Sequence, residues 1–131
     1  MLWTEDVLRF GDTDANGHVN NAAFAVFCES GRVHYLDTTI RPTLGPHGFF
    51  VVASLRIEFR SELFYPGRVR AGTWLGALGR SSVTFAQVLL DDRGRVAALS
   101  EAATVAMDRA TRRPAPLGAT TRAVLEGMVR A

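Results

Sequence analysis

Near the start of the chain, carboxylates and amides crowd a tight turn that runs directly into an apolar segment. The run is Asp12-Thr13-Asp14-Ala15-Asn16-Gly17-His18-Val19-Asn20-Asn21, followed without a break by Ala22-Ala23-Phe24-Ala25-Val26-Phe27-Cys28. A carboxylate at the mouth of a buried helix is costly to desolvate, and losing its water makes it a better base. Asp12, Asp14, Asn16 and Gly17 also match the first half of a helix–loop–helix calcium site, with Val19 in step. That site needs a bidentate Glu at its twelfth position, where this chain has Ala23, and a helix before it, where Trp3 to Phe10 reads as a strand. Calcium is therefore not expected. Three His at 18, 34 and 47 and one Cys give no metal-ligand spacing, so neither a metal nor a prosthetic group is expected.

The elements that must position these residues follow from the pattern. Trp3 to Phe10 predicts a first strand, and Gly11 to Asn20 a loop. Asn20 or Asn21 can cap a helix running to about Asp37, because an Asn side chain accepts the first free N–H groups. The first two turns of that helix are apolar on every side, which predicts that it is covered all round. Arg41 to Gly48, with two Pro and two Gly, punctuates the chain. Next, Ala53, Leu55, Ile57 and Phe59 alternate with Ser54, Arg56, Glu58 and Arg60, the period-two signature of a half-buried strand. Tyr65-Pro66-Gly67 turns into a strand with Val69, Ala71, Thr73 and Leu75 on one face. Gly79-Arg80-Ser81-Ser82 leads to a strand from Val83 to Leu90, and Asp91-Asp92-Arg93-Gly94 signals a hairpin into Arg95 to Met107. A short helix from about Ala119 to Val129 closes the chain, with Val124, Leu125, Met128 and Val129 as its apolar stripe. The order is strand, helix, then four consecutive strands in hairpins: an α+β domain with a sheet covering a helix.

A length of 131 residues fits one domain, 1–131, and 47% apolar with 21% charged residues describes an ordinary globular protein. No run approaches the roughly 18 apolar residues of a membrane span, and the N-terminus has no basic region or apolar signal core, so export is not expected. One cysteine excludes an internal disulfide and fits a reducing cytoplasm. The net charge of +2 comes with no basic run longer than two residues and no interleaved aromatics, so nucleic acid is not an expected partner.

Asp12 to Glu29, read as Asp-x-Asp-x-x-Gly-His-Val-Asn-Asn and an apolar helix carrying a Glu, resembles the start of the hotdog-fold acyl-CoA thioesterases. The similar relatives are of the 4-hydroxybenzoyl-CoA and acyl-carrier-protein types, and the likeness extends over nearly the whole chain. The resemblance implies a curved antiparallel sheet wrapped around a central helix. It also implies hydrolysis of an acyl-CoA or acyl-carrier-protein thioester to a carboxylic acid and a thiol. By resemblance Asp14 is the catalytic carboxylate, as nucleophile or as general base. The residues alone favour Asp14 as the cap of the Asn16-Gly17 turn, while Asp12 reads as a loop-ordering residue. The oxyanion donors would be backbone N–H groups around Asn20, Asn21 and Ala22 at the helix start, and the resemblance selects Asn21. His18 and Asn20 surround the site in the carrier-protein branch; His18 either orients Asp14, contacts substrate or is structural.

Glu29 reads as a buried partner of Arg32 or as a polar residue near the thioester pocket. Cys28 reads as an inert core thiol. The resemblance places coenzyme A phosphate contacts at Arg80, Ser81 and Ser82, with Arg56 and Arg60 as further candidates. Family members often carry Tyr where this chain has Phe24, and some carry Asn at the position of Ala23, which tilts the expectation toward a plainer acyl or aryl chain. An open-edged sheet predicts a homodimer with its edges paired, and the resemblance implies a pocket between subunits and dimers that can pair into tetramers. Two other readings stand beside hydrolysis: an acyl-CoA-binding protein without turnover, and a hotdog dehydratase or hydratase.

Overall fold

Of the two caps that the sequence allows, Asn20 is the one that starts the central helix. Its backbone is extended (φ −60°, ψ 137°) and its side-chain oxygen accepts the Ala22 N–H at 2.9 Å, a cap typically worth about 1 kcal/mol. The computed structural model, which describes residues 1–130, places α1 at Asn21–Tyr35. Its buried stripe is Phe24, Phe27, Cys28, Gly31, Arg32 and Tyr35. The helical run does not stop near Asp37. A π-helical turn (Leu36–Ile40) and a 3-10 turn (Arg41–Thr43) extend it, with Pro42 in that turn.

The first strand, β1 (Leu2–Val7), is shorter than predicted, because Phe10–Asp12 forms a 3-10 turn. β2 (Gly48–Phe59), β3 (Arg68–Leu78), β4 (Ser82–Leu90), β5 (Val96–Asp108) and the two-residue β6 (Arg113–Pro114) follow. α2 spans Ala119–Glu126, shorter than predicted, and it buries Thr121 and Leu125 rather than Val124. The antiparallel sheet has the order β1-β3-β4-β5-β2, with β6 on β5, and curls around α1. The hairpins β3–β4 and β4–β5 match the sequence. In the second, Asp91 Oδ1 accepts the Arg93 and Arg95 N–H groups, both at 2.9 Å, and Gly94 takes a positive φ of 79° that the turn requires.

β2 departs from expectation in two ways. It does not form a hairpin with β3. The chain crosses from one side of the sheet to the other, so β2 pairs only with β5, in register Phe59↔Ala98 and Ile57↔Ser100. It is also not half-buried: Val52, Leu55 and Phe59 are 50%, 40% and 48% exposed. Alternation reports which residues share a face, and an edge strand keeps it without being covered. The prediction that α1 is covered all round fails for the same reason. Val26 and Val33 stand exposed on the face that the sheet of this one chain does not reach.

Two apolar clusters fill the interior. One surrounds the N-terminal half of α1 (Leu8, Val19, Phe24, Phe27, Leu63, Val69, Leu89), the other its C-terminal half (Tyr35, Ile40, Leu75, Val83, Phe85, Leu125). Between them lies a buried polar island of Arg32, Thr73, Gln87 and Ser100. Gly31 permits it: a Cβ there would sit 2.7 Å from Thr73 Oγ1 and 2.8 Å from Gln87 Nε2. Among the described residues no helix is long and apolar enough to cross a membrane.

Candidate active site

The loop before α1 is built to hold its side chains. The Arg9 N–H donates to Asp12 Oδ2 at 2.8 Å, and Asp12 O accepts the Asn20 N–H at 2.7 Å, so Asp12 orders the loop as predicted from its position. Asp14 caps the turn through Oδ1, which accepts the Asn16 N–H at 2.9 Å, while Gly17 adopts φ 79°. The Asp14 N–H donates to His18 O at 3.1 Å, and a bridge between Thr13 and Val19 closes the loop. Turn capping uses one carboxylate oxygen only. The other, Oδ2, lies 3.6 Å from His18 Nε2.

His18 stands between two carboxylates, because its Nδ1 is 3.0 Å from Glu62 Oε1. Glu62 sits just past β2 on a segment pinned to the loop by the Val19 N–H to Leu63 O bond of 2.8 Å. The sequence reading missed Glu62. Its separation of 44 residues from His18 carries no local periodicity, and only the path of the chain after β2 brings the two together.

At the helix start, four N–H groups need partners. The Asn20 N–H finds Asp12 O, the Ala22 N–H finds Asn20 Oδ1 and the Ala23 N–H finds Asn20 O. The Asn21 N–H has no partner among the described residues. Asn21 lines a cleft of about 290 Å³ together with His18, Phe24, Phe59, Arg60 and Glu62. Phe24 meets Phe59 edge to face at 5.0 Å, giving the cleft an apolar wall. The cleft thus combines the helix-start residue whose N–H is unpaired, an imidazole with Glu62 beside it, and an apolar wall, with Asp14 reached through His18. Such a site can hold a carbonyl, stabilise an oxyanion and activate water.

The other predicted residues fall elsewhere. Arg60 lines the cleft, with its guanidinium 3.0 Å from Glu58. Arg56 is exposed on β2. Arg80, Ser81 and Ser82 occupy the β3–β4 turn beside α2, where the Arg80 carbonyl accepts from Leu117 and Arg122. That turn belongs to the end of the molecule that packs the C-terminal half of α1, so one chain does not bring it to Asp14. Glu29 is corrected: it is exposed, on the uncovered face of α1, and Arg32 instead donates to Gln87 Oε1 at 3.1 Å. Cys28 is fully buried, and burial pushes its thiol up, outweighing the lowering by Ser100 and Arg32.

The family model of the thioesterase-like superfamily matches residues 8–125. Solved structures are similar over nearly the full length. A thioesterase of Thermus thermophilus complexed with coenzyme A and Zn is 29% identical, covers 94% of this chain and 95% of its own, and superposes with a TM-score of 0.81. A predicted thioesterase from Bacillus stearothermophilus is 25% identical, with 98% and 96% covered and a TM-score of 0.86. The PA5185 protein of Pseudomonas aeruginosa, at 24% identity, 100% and 93% covered and a TM-score of 0.86, shares the fold. Among curated proteins none matches the chain.

Proposed function

Given that this chain belongs to the thioesterase-like superfamily and is a thioester hydrolase of the hotdog fold, we propose that it cleaves acyl-CoA, with Asp14 as the catalytic carboxylate. Acyl-S-CoA and water give a carboxylic acid and free coenzyme A. The observation that carries this reading is that Asn21, with its unpaired N–H, lines one cleft with His18 and Glu62, while Asp14 Oδ2 stands 3.6 Å from His18 Nε2. The thioester carbonyl lies against Asn21 N–H, which accommodates the negative charge as the tetrahedral centre forms. Asp14 either takes a proton from the attacking water or attacks the carbonyl carbon itself, and both routes use the same carboxylate. With its Nδ1–H donated to Glu62, His18 presents Nε2 to Asp14; in the water route the proton taken by Asp14 passes through His18 to the leaving thiolate, and in the direct route the thiolate leaves first and water then hydrolyses the acyl anhydride to free the acid and Asp14.

Coenzyme A as carrier is supported by the Thermus thermophilus thioesterase complexed with it. Acyl carrier protein remains the alternative carrier. Antiparallel pairing of the β2 edge with a second copy's β2 forms the homodimer. It covers Val52, Leu55 and Phe59, and it brings the far end of the partner toward this cleft. That supports Arg80, Ser81 and Ser82 as phosphate contacts made across the dimer, with Arg60 contributed from the same copy. A single buried thiol supports a cytoplasmic setting.

Product analysis tests the reaction. Incubation with a panel of acyl-CoA and 3-hydroxyacyl-CoA esters is expected to release free thiol stoichiometrically with acid. A new double bond without thiol release would make the protein a dehydratase or hydratase. Tight binding with neither product would make it an acyl-CoA-binding protein.

A further inference from the structure

Asn21 and Phe24 lie three residues apart on α1, so Phe24 stands about one helical turn beyond the unpaired N–H, and both residues line the same cleft. Phe59 closes the other side. Its ring meets that of Phe24 edge to face, with centroids 5.0 Å apart and planes at 68°. Both rings are held from behind. Phe24 is 3% exposed, and the strand end that carries Phe59 is pinned to β5, because the Arg60 and Ser61 N–H groups both donate to Ala97 O, at 2.8 and 3.1 Å. Val19, also buried, completes the apolar wall.

Behind this wall the interior is closed. Phe27, Cys28, Ala97 and Ala98 share one apolar cluster with Phe24 and Val19 and are at most 3% exposed, and a close-packed core leaves a chain no path. The cleft itself sets a size. Its volume of about 290 Å³, at the ~30 Å³ that one water molecule takes in the liquid, holds roughly ten non-hydrogen atoms. The thioester carbon, oxygen and sulfur are part of that number, which leaves roughly seven for the rest of the acyl group. The cluster is also filled unevenly. Ala71, Ala97 and Ala98 contribute only methyl groups from the sheet, so much of the filling comes from the Phe24 and Phe27 rings on the helix.

We propose that the Phe24–Phe59 ring pair is a specificity determinant that ends the acyl site and restricts the substrate to acyl groups of up to about eight carbons. This rests on the hydrolase reading above and adds an upper size to its acyl group. A longer chain must displace a ring or fold its tail back out of the cleft, and either costs more than the added methylenes return. Removing the Phe24 ring reverses the restriction. The neighbouring alanines are too short to reach into the space that the ring leaves, so a cavity persists there. That cavity adjoins the cleft, and an apolar chain enters it where water does not.

Thiol release from a series of straight-chain esters, butanoyl-CoA to hexadecanoyl-CoA, gives kcat/KM against chain length. For the wild type, kcat/KM is expected to fall about tenfold or more from hexanoyl-CoA to dodecanoyl-CoA. In Phe24→Ala the dodecanoyl-to-hexanoyl ratio is expected to rise about tenfold or more above the wild-type ratio, a change that a merely structural role for the ring would not produce. Phe59→Ala removes the half-exposed ring instead of the buried one and should raise the same ratio, which keeps the proposal testable if Phe24→Ala does not fold. Wild-type kcat/KM that holds level or climbs as far as hexadecanoyl-CoA overturns the proposal, as does an unchanged ratio in the folded variants. Either result leaves the hydrolase reading standing. Failure to release thiol from any ester of a broad panel removes that reading itself, and this inference with it.

Discussion

Replacing Asn21 with proline removes one backbone N–H from the start of α1 and little else. Asn21 is the first helical residue, where proline's fixed φ suits the helix and its missing N–H breaks no intrahelical bond. The preceding residue must be extended, and Asn20 already is, at φ −60° and ψ 137°. Among the described residues the Asn21 N–H has no partner, whereas the Ala22 and Ala23 N–H groups both bond to Asn20. Stability should therefore change by no more than about 0.5 kcal/mol, as for a surface substitution. Loss of a single oxyanion donor costs about 10²–10³ in kcat, or roughly 2.7–4 kcal/mol of transition-state stabilisation. The assay is thiol release at saturating acyl-CoA beside a thermal melt, with Asn21→Ala as the control that keeps the N–H and deletes only the side chain. Asn21→Pro is expected to lose at least tenfold more kcat than Asn21→Ala with an unchanged melt. Full activity in the proline variant would show that the carbonyl is polarised elsewhere and would refute the reasoning.

Further outcomes follow from other contacts. Glu62→Ala leaves His18 Nδ1 without its carboxylate at 3.0 Å and is expected to lower kcat about tenfold or more, while Glu62→Gln, which keeps an acceptor, loses less; steady-state kinetics decide this. Val52→Lys with Leu55→Lys places two charges on the exposed β2 edge and should yield a monomer by sedimentation at micromolar concentration, with activity lost in parallel; an active monomer would remove the dimer from the account. Burial alone would raise the Asp91 carboxyl, but the Arg95 and Arg93 N–H groups and the Arg95 guanidinium outweigh it and hold the pKa below the ordinary range. A carboxyl depressed in the folded state stabilises fully above its unfolded pKa of about 3.9 and loses that contribution as pH falls through the lower folded value. Denaturant melts from about pH 6 down through the acid range should therefore show a steeper acid decline for the wild type than for Asp91→Asn.

What the sequence made legible was local. Alternation in Val69 to Leu75 and Val83 to Leu90, the Asp91-to-Gly94 turn and the Asn20 cap each depend on neighbours within a few residues, and each appears in the fold. Pairing is not local: nothing in Gly48–Phe59 indicates that its partner is β5 rather than β3, and an edge strand alternates as a covered one does. Glu29 was misplaced for a related reason. Apolar neighbours on every side of a helix imply cover, but the cover for Val26, Glu29 and Val33 is not supplied by this chain's sheet. At the site, the Asp-x-Asp-x-x-Gly-His run was readable because the loop closes on itself. Glu62 and the distance of Arg80 from Asp14 emerge only once the strands are ordered.

The central claim is that the Asp14 carboxylate drives thioester cleavage. Thiol release from short, long and aromatic acyl-CoA esters by wild type and Asp14→Ala, with oligomeric state and melting checked in parallel, tests it most directly. The account predicts a fall of about two to four orders of magnitude in kcat for the variant, the usual worth of a positioned acid or base, with the fold intact. Turnover in Asp14→Ala within a few-fold of wild type would contradict it and would move the chemistry to another residue of the cleft.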